Sequence, residues 1–272
     1  MKQEHTAFAG NIPENYDHGL GPHIFADYAA ELAARIAAGA PGRVLETATG
    51  TGIVSRQIRD AIPAASHLVC TDLNEPMLEI ARKKFGAGED VEFRAADATA
   101  LPFDEASFDA VACQFGVMFF PDKEQGYREA FRVLAPGGRF LFNVWDSPEH
   151  NAFARVAHET VSGFFPDDPP GFYLVPFHYH EAGPIEASLA AAGFESVGTE
   201  RVTIEVAIPD AGRFASGLIH GNPVITEIEQ RATASPDEIR EALTAALVRE
   251  FGDDPGRMSL RALFATARKP GA

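Results

Sequence analysis

Glu46, Asp72 and Asp97 are the residues of this chain whose type and spacing could do chemistry. Each closes or follows a short apolar run, and the intervals are regular: Asp72 lies 26 residues after Glu46, and Asp97 lies 25 after Asp72. Gln114-Phe115-Gly116 closes a fourth run of the same kind. Glu46 is followed by the small-residue turn Thr47-Ala48-Thr49-Gly50-Thr51-Gly52, which opens into a helix near Ile53. Small residues let backbone approach a ligand closely, and a helix start offers unpaired N–H groups. An acid after a second strand can accept both hydroxyls of a ribose, and one after a third can accept from an exocyclic adenine amine. Together they describe a nucleoside held from both ends.

Such residues meet only if the apolar runs are strands of one open parallel sheet, whose carboxyl ends share a crevice. The pattern predicts that arrangement. Arg43–Thr47, His67–Asp72, Val91–Ala96, Phe108–Phe115 and Arg139–Asp146 read as buried strands, alternating with helices near Ile53–Ala61, Glu75–Phe85 and Lys123–Leu134. Strands alternating with helices imply an α/β fold with right-handed crossovers. A helix precedes them over about Pro22–Ala38, with Phe25, Tyr28, Ala29, Leu32 and Ile36 on one face. Later, Pro184–Ala192 reads as helix, and Val202, Ile204, Val206 and Ile208 alternate with Thr203, Glu205 and Ala207 as in a strand with one exposed face. Leu260–Ala267 supplies a last strand. Nothing between Ile208 and Leu260 reads as strand, and Ser235-Pro236-Asp237-Glu238 is a capping box that opens a helix there.

Composition narrows the classes of function. The 272 residues suffice for one large or two small domains, and 39 acids against 23 bases leave a net charge of −16. A field of that sign disfavours nucleic acid and anionic membrane as partners. No 18-residue apolar run occurs and the start, Met1-Lys2-Gln3-Glu4-His5, is polar, so neither a membrane-spanning helix nor a signal peptide is expected. Cys70 and Cys113 each sit within an apolar run and read as buried reduced thiols, consistent with a cytoplasmic protein.

Four segments in order, Glu46-Thr47-Ala48-Thr49-Gly50-Thr51-Gly52, Thr71-Asp72-Leu73-Asn74, Ala96-Asp97-Ala98 and Arg132-Val133-Leu134-Ala135-Pro136-Gly137-Gly138, resemble the motifs of class I S-adenosylmethionine-dependent methyltransferases, in the branch found in quinone biosynthesis and small-molecule methylation. The resemblance is strong over about residues 43–146 and elsewhere extends only to layout. Ala48 stands where the family usually has its first glycine, which narrows the approach to the methionine moiety. The fold so implied is a Rossmann-like, mostly parallel seven-stranded sheet with a reversed last strand, helices on both faces and helical lid insertions. It would form a single domain over 1–272: a cofactor-binding core of about 40–146, cap or lid segments of about 1–38, 147–183 and 209–258, and C-terminal strands of about 198–208 and 260–268. The resemblance implies that S-adenosylmethionine lies with its methionine part against Ala48, Gly50 and Thr51, its ammonium supported by Glu46. Asp72 would take the ribose hydroxyls, Leu73 and Met77 would sandwich the adenine, and Asp97 with the Ala98 N–H would meet its amine. Gln114 and Phe115 would frame the sulfonium, and Tyr16 would cap the cofactor carboxylate.

The activity implied is methyl transfer by in-line displacement to a small, partly apolar organic acceptor. Phe119, Phe120 and Trp145, with Phe164, Phe165, Phe172 and Tyr173 of the first insertion, are candidates for the acceptor chamber. His178 and His180, two apart and beside Glu181, would share a side of an extended segment as wall or general base, and His220 is a further candidate. No catalytic residue is singled out and no metal site is expected. Two other readings share these residues. Gly50-Thr51-Gly52-Ile53-Val54-Ser55 approaches the dinucleotide-binding G-x-G-x-x-G, but the third position is Ser55, and an NAD-dependent oxidoreductase needs no acid at Asp97. The third reading is a non-catalytic adenosyl-binding protein.

Overall fold

The five apolar runs form five parallel strands, β1 (Arg43–Thr47), β2 (His67–Asp72), β3 (Val91–Ala95), β4 (Phe108–Gln114) and β5 (Leu134–Trp145), in a computed structural model that describes Phe8 and residues 10–271. β6 (Glu195–Ile208) and β7 (Gly256–Arg268) complete a seven-stranded sheet of order β3-β2-β1-β4-β5-β7-β6. β7 pairs antiparallel with both neighbours and is the reversed last strand. Met1–His5, and with them the start of the predicted cap, lie outside the described residues.

Alternation along β5 assigns the faces of the sheet. Phe140 and Phe142 meet Tyr127 of helix α5 (Lys123–Val133), whereas the odd-numbered Trp145 meets Tyr28 of helix α2 (Ala26–Ala37). Helices α3 (Ile53–Ala61) and α4 (Glu75–Arg82) follow β1 and β2, with bounds within three residues of those read from the sequence. The predicted helix over Pro22–Ala38 differs: Gly21–Phe25 is a π-helical turn that buries both His23 and Phe25 before α2 begins. Ahead of it lies helix α1 (Ile12–Gly19). The Pro136-Gly137-Gly138 turn does not separate α5 from β5. β5 begins already at Leu134, and the register shifts so that Leu134 and Arg139 face Phe108 and Ala110, which extrudes the turn as a bulge. β7 begins at Gly256, earlier than Leu260, because its first residues pair with β6 alone, Ile208 opposite Gly256.

Both insertions emerge at the carboxyl edge of the parallel strands. The first leaves β5 after Asp146, whose buried carboxylate accepts from Arg261 Nε at 2.6 Å and Arg201 Nε at 3.1 Å. It contains helix α6 (Ala152–Gly163) and a coiled stretch leading to helix α7 (Ala182–Ala191). The second runs from the end of β6 to the start of β7 as helices α8 (Ala211–His220), α9 (Val224–Arg231) and α10 (Pro236–Phe251), the last opened by the capping box of Ser235 and Glu238. α8 crosses α1 at glycine contacts: a Cβ on Gly217 would lie 2.6 Å from Gly19 C, and one on Gly221 2.8 Å from Tyr16 N. No described helix is long and apolar enough to cross a membrane.

Candidate active site

β1 carries Glu46 to the sheet edge, where the chain folds back at once. Gly52 N donates to Thr49 O at 3.1 Å, and Thr49 N donates to Thr71 O of β2 at 2.9 Å, which hangs the turn from the sheet. Ala48, Gly50 and Gly52 have φ of 53°, 58° and 80°. Glycine adopts that region freely, whereas alanine there costs about 1–2 kcal/mol. The Ala48 methyl is seated against Gly116, where a Cβ would lie 2.5 Å from it. Glycine at 116 thus makes room for alanine at 48.

A cavity of about 330 Å³ opens over this edge. Tyr16, Ala48, Gly50, Asp72, Leu73, Met77, Asp97, Ala98, Gln114 and Phe115 line it, joined by Phe8, Asn74, Phe119 and Phe120. Thr51 lines a smaller recess of about 30 Å³ that shares Tyr16, Ala48, Gly50 and Gln114 with the cavity. Glu46 lines neither. It is 1% exposed beneath the turn and accepts from Ser55 Oγ at 2.5 Å. Burial pushes its carboxyl up to about 8; the Ser55 hydroxyl opposes that shift and the Asp72 charge adds to it. Ser55, the residue that breaks the dinucleotide pattern, is therefore committed to Glu46.

The other two acids have divided duties. Asp72 is buried and accepts from Gly50 N and Asn74 N at 2.8 Å each, one on either oxygen. Burial raises its pKa and these N–H bonds pull it back. Two N–H bonds leave carboxylate lone pairs for further donors. Asp97 uses Oδ1 to accept from Thr99 N at 2.8 Å and Thr99 Oγ1 at 2.7 Å, so it caps a turn and lines the cavity at once. Leu73, 63% exposed, and buried Met77 also border the space.

A second cavity of about 60 Å³ adjoins the first and shares Phe8, Tyr16, Phe115 and Phe119 with it. Its walls are aromatic: Trp145 stacks on Phe115 at 3.9 Å and 10°, and on Phe177 at 5.9 Å. Of the predicted acceptor contacts, Phe119, Trp145, Phe172 and Tyr173 line this chamber, whereas Phe120 lines only the larger cavity and Phe164 and Phe165 line neither. His178, His180 and His220 also line neither. The segment bearing the first two is coiled and not extended, and each ring folds back on a carbonyl three residues earlier, Val175 O for His178 and Phe177 O for His180. His220 sits at the end of α8, and burial lowers its pKa. Phe153, Phe177 and Asn222, also in the chamber, lie on insertion elements whose inward faces carry no distinctive pattern. Among the described residues no cluster of three His, Cys, Asp or Glu could hold a metal ion.

Two polar atoms test what the recess could hold. Thr51 Oγ1 and Gln114 Oε1 are buried without a hydrogen-bond partner among the described residues, and no side chain caps the α3 start beside them. Buried polar atoms of that kind are completed by a ligand or by water. These atoms suit the charged methionine end of an adenosyl cofactor, and Asp72 and Asp97 line the cavity that adjoins the recess.

Comparison with known proteins identifies the family. Residues 44–138 match a family described as "Methyltransferase domain". A demethylmenaquinone methyltransferase of Thermus thermophilus is 40% identical over 185 residues, covering 64% of this chain and 83% of that protein. A ubiquinone/menaquinone biosynthesis C-methyltransferase UbiE of Hahella chejuensis is 39% identical over 122 residues, 44% of this chain and 49% of the relative, so the chain spans about half the length of that protein. In fold the chain resembles phosphoethanolamine N-methyltransferase 2 of Haemonchus contortus, solved with S-adenosyl-L-methionine, at TM-score 0.60 and 17% identity over 95% of this chain and 56% of the other. It also resembles a putative methyltransferase of Bacillus halodurans, at TM-score 0.55 and 24% identity over 89% and 98%.

Proposed function

The chain belongs to the class I S-adenosylmethionine-dependent methyltransferases, in the quinone-biosynthesis branch, and from that premise we propose that it methylates a small, partly apolar aromatic acceptor held in the chamber beside the cofactor cavity. The observation that carries this reading is the partition of Phe8, Tyr16, Phe115 and Phe119 common to the two cavities, which sets an aromatic space against the place for the cofactor. Quinone-like rings suit those walls, and the relatives' names point the same way.

S-adenosylmethionine supplies an activated methyl group that a nucleophile takes by in-line displacement. The residues here bind, orient and exclude water. Asp72 accepts from the ribose hydroxyls with the lone pairs left over from Gly50 and Asn74, and Asp97 accepts at the adenine end. Thr51 and Gln114 gain partners at the methionine end. The Phe115–Trp145 stack offers a flat wall to a ring. The described residues lining the two cavities include no His, Lys, Glu or Cys, and the Asp72 and Asp97 carboxylates are already engaged by N–H and O–H donors, so an acceptor with its own nucleophilicity, an electron-rich ring or an ionised heteroatom, suits the site. The acidic balance of the chain also favours a small acceptor over nucleic acid.

The test is incubation with S-adenosylmethionine and a panel of reduced naphthoquinones, phenols and amines, read by mass spectrometry. A gain of one methyl group on an aromatic member is expected. Methylation of aliphatic amines alone would refute the aromatic reading.

A further inference from the structure

Two polar side chains that line the aromatic chamber each donate to the same carbonyl. Tyr173 Oη donates to Leu218 O at 2.7 Å, and Asn222 Nδ2 donates to the same oxygen at 3.1 Å. A carbonyl oxygen has two lone pairs, so Leu218 is saturated. This bond also fixes the amide orientation, because the reverse would set the Asn222 oxygen against that of Leu218. What remains to the chamber is mostly acceptor capacity, the Asn222 amide oxygen and the free lone pair of Tyr173, beside the second N–H of the Asn222 amide. Asn222 is 8% exposed and Tyr173 4%, and no described residue donates to the Asn222 oxygen. The phenol keeps its proton, since burial raises its pKa well above the ordinary range.

We propose that Asn222, assisted by Tyr173, determines acceptor specificity by selecting molecules with an O–H or N–H donor at the end buried in the chamber. The proposal rests on the chamber being the acceptor site. An acceptor without that donor leaves a buried oxygen unpaired, a penalty that an apolar wall would not impose. Capping the end of α8 does not explain the arrangement, because a cap uses only the Asn222 nitrogen. The second insertion thus supplies a polar reading head in a space otherwise enclosed by hydrocarbon and ring faces.

The experiment titrates 4-fluorophenol and 4-fluorotoluene, read by fluorine NMR, into the protein saturated with S-adenosylhomocysteine. The two probes differ in the donor and little in shape. The ratio of phenol to toluene affinity is expected to be about five-fold higher for wild type than for Asn222→Leu, the effect of one neutral hydrogen bond. Tyr173→Phe, which keeps the ring and leaves Asn222 in place, lowers the same ratio less. Unchanged S-adenosylhomocysteine affinity in both variants shows that the fold is retained. A ratio that survives both substitutions overturns the role of Asn222 and leaves the chamber reading intact. Failure of wild type to bind either probe overturns the chamber reading, and the proposal falls with it.

Discussion

Replacing Gly217 with alanine adds one methyl group far from any reacting atom, yet it should loosen both cavities. On α8 the new Cβ would stand 2.6 Å from Gly19 C and 2.7 Å from Gly19 Cα, against the 3.4–4 Å of ordinary contact. Neither obstacle is a flexible side-chain end, so α8 must retreat from α1 by roughly 1 Å. Overpacking of that kind costs about 1–3 kcal/mol. The better helix propensity of alanine returns up to about 1 kcal/mol. At the middle of that range a net loss of about 1 kcal/mol remains, which for a chain of this size lowers Tm by about 2–4 °C. α8 carries Leu218 and leads into Asn222, while α1 carries Tyr16, so the retreat also separates opposite walls of the chamber. Calorimetric titration with S-adenosylhomocysteine and thermal melts, with Gly163→Ala as the control, measure both effects. A Cβ on Gly163 meets nothing within 4 Å, so that variant should melt no lower than wild type. If Gly217→Ala melts as high as wild type and binds as tightly, the close crossing is not what holds the cap.

Three further outcomes follow from the site. Asp72→Ala should weaken S-adenosylhomocysteine binding by about 30-fold or more, the loss of about 2 kcal/mol or more in hydrogen bonds to a charged acceptor, and calorimetry that finds the affinity unchanged refutes its ribose role. Glu46, raised from 4.5 to about 8, keeps its proton in the fold while the unfolded chain loses it; stability of the free protein should therefore fall as pH rises from about 4.5 to 8. Glu46→Gln should flatten that decline in melting curves, and a cationic cofactor should release protons on binding near pH 7, seen as buffer-dependent heats in calorimetry. Glu227 accepts from Gly171 N at 2.9 Å and Phe172 N at 3.0 Å, fastening the segment that carries Tyr173 to α9. Glu227→Gln has one carbonyl oxygen for these two donors, so the acceptor KM should rise several-fold while S-adenosylhomocysteine affinity stays constant, an outcome steady-state kinetics and calorimetry separate.

What the sequence made legible is the part where local pattern and ligand geometry coincide. The strands ending at Glu46, Asp72 and Gln114 are apolar because both faces of the sheet are covered there, whereas β3 before Asp97, expected to be buried, is the edge strand, with Glu92 and Arg94 in it and no residue buried; the residue at each strand end still falls at the shared edge by topology alone. The capping box at Ser235 is equally local. Where a residue's place depends on distant packing, pattern gave no purchase. Glu46 sits beneath the turn because Ser55, a turn of helix further on, reaches back to it. His178 and His180 point away because the chain coils between Phe172 and α7, where neither strand nor helix period applies. α8 meets α1 through glycines, and a glycine in sequence does not announce which backbone it will touch.

The partition of Phe8, Tyr16, Phe115 and Phe119 has a thermodynamic consequence. Each of these side chains touches both cavities, so a molecule that fixes their rotamers from one side prepares the wall presented to the other. Linkage requires such coupling to be reciprocal: the factor by which the cofactor strengthens acceptor binding is the factor by which the acceptor strengthens cofactor binding. Four aromatic rings then act as a common account of order between the two ligands, and selectivity for one is partly written in the grip on the other.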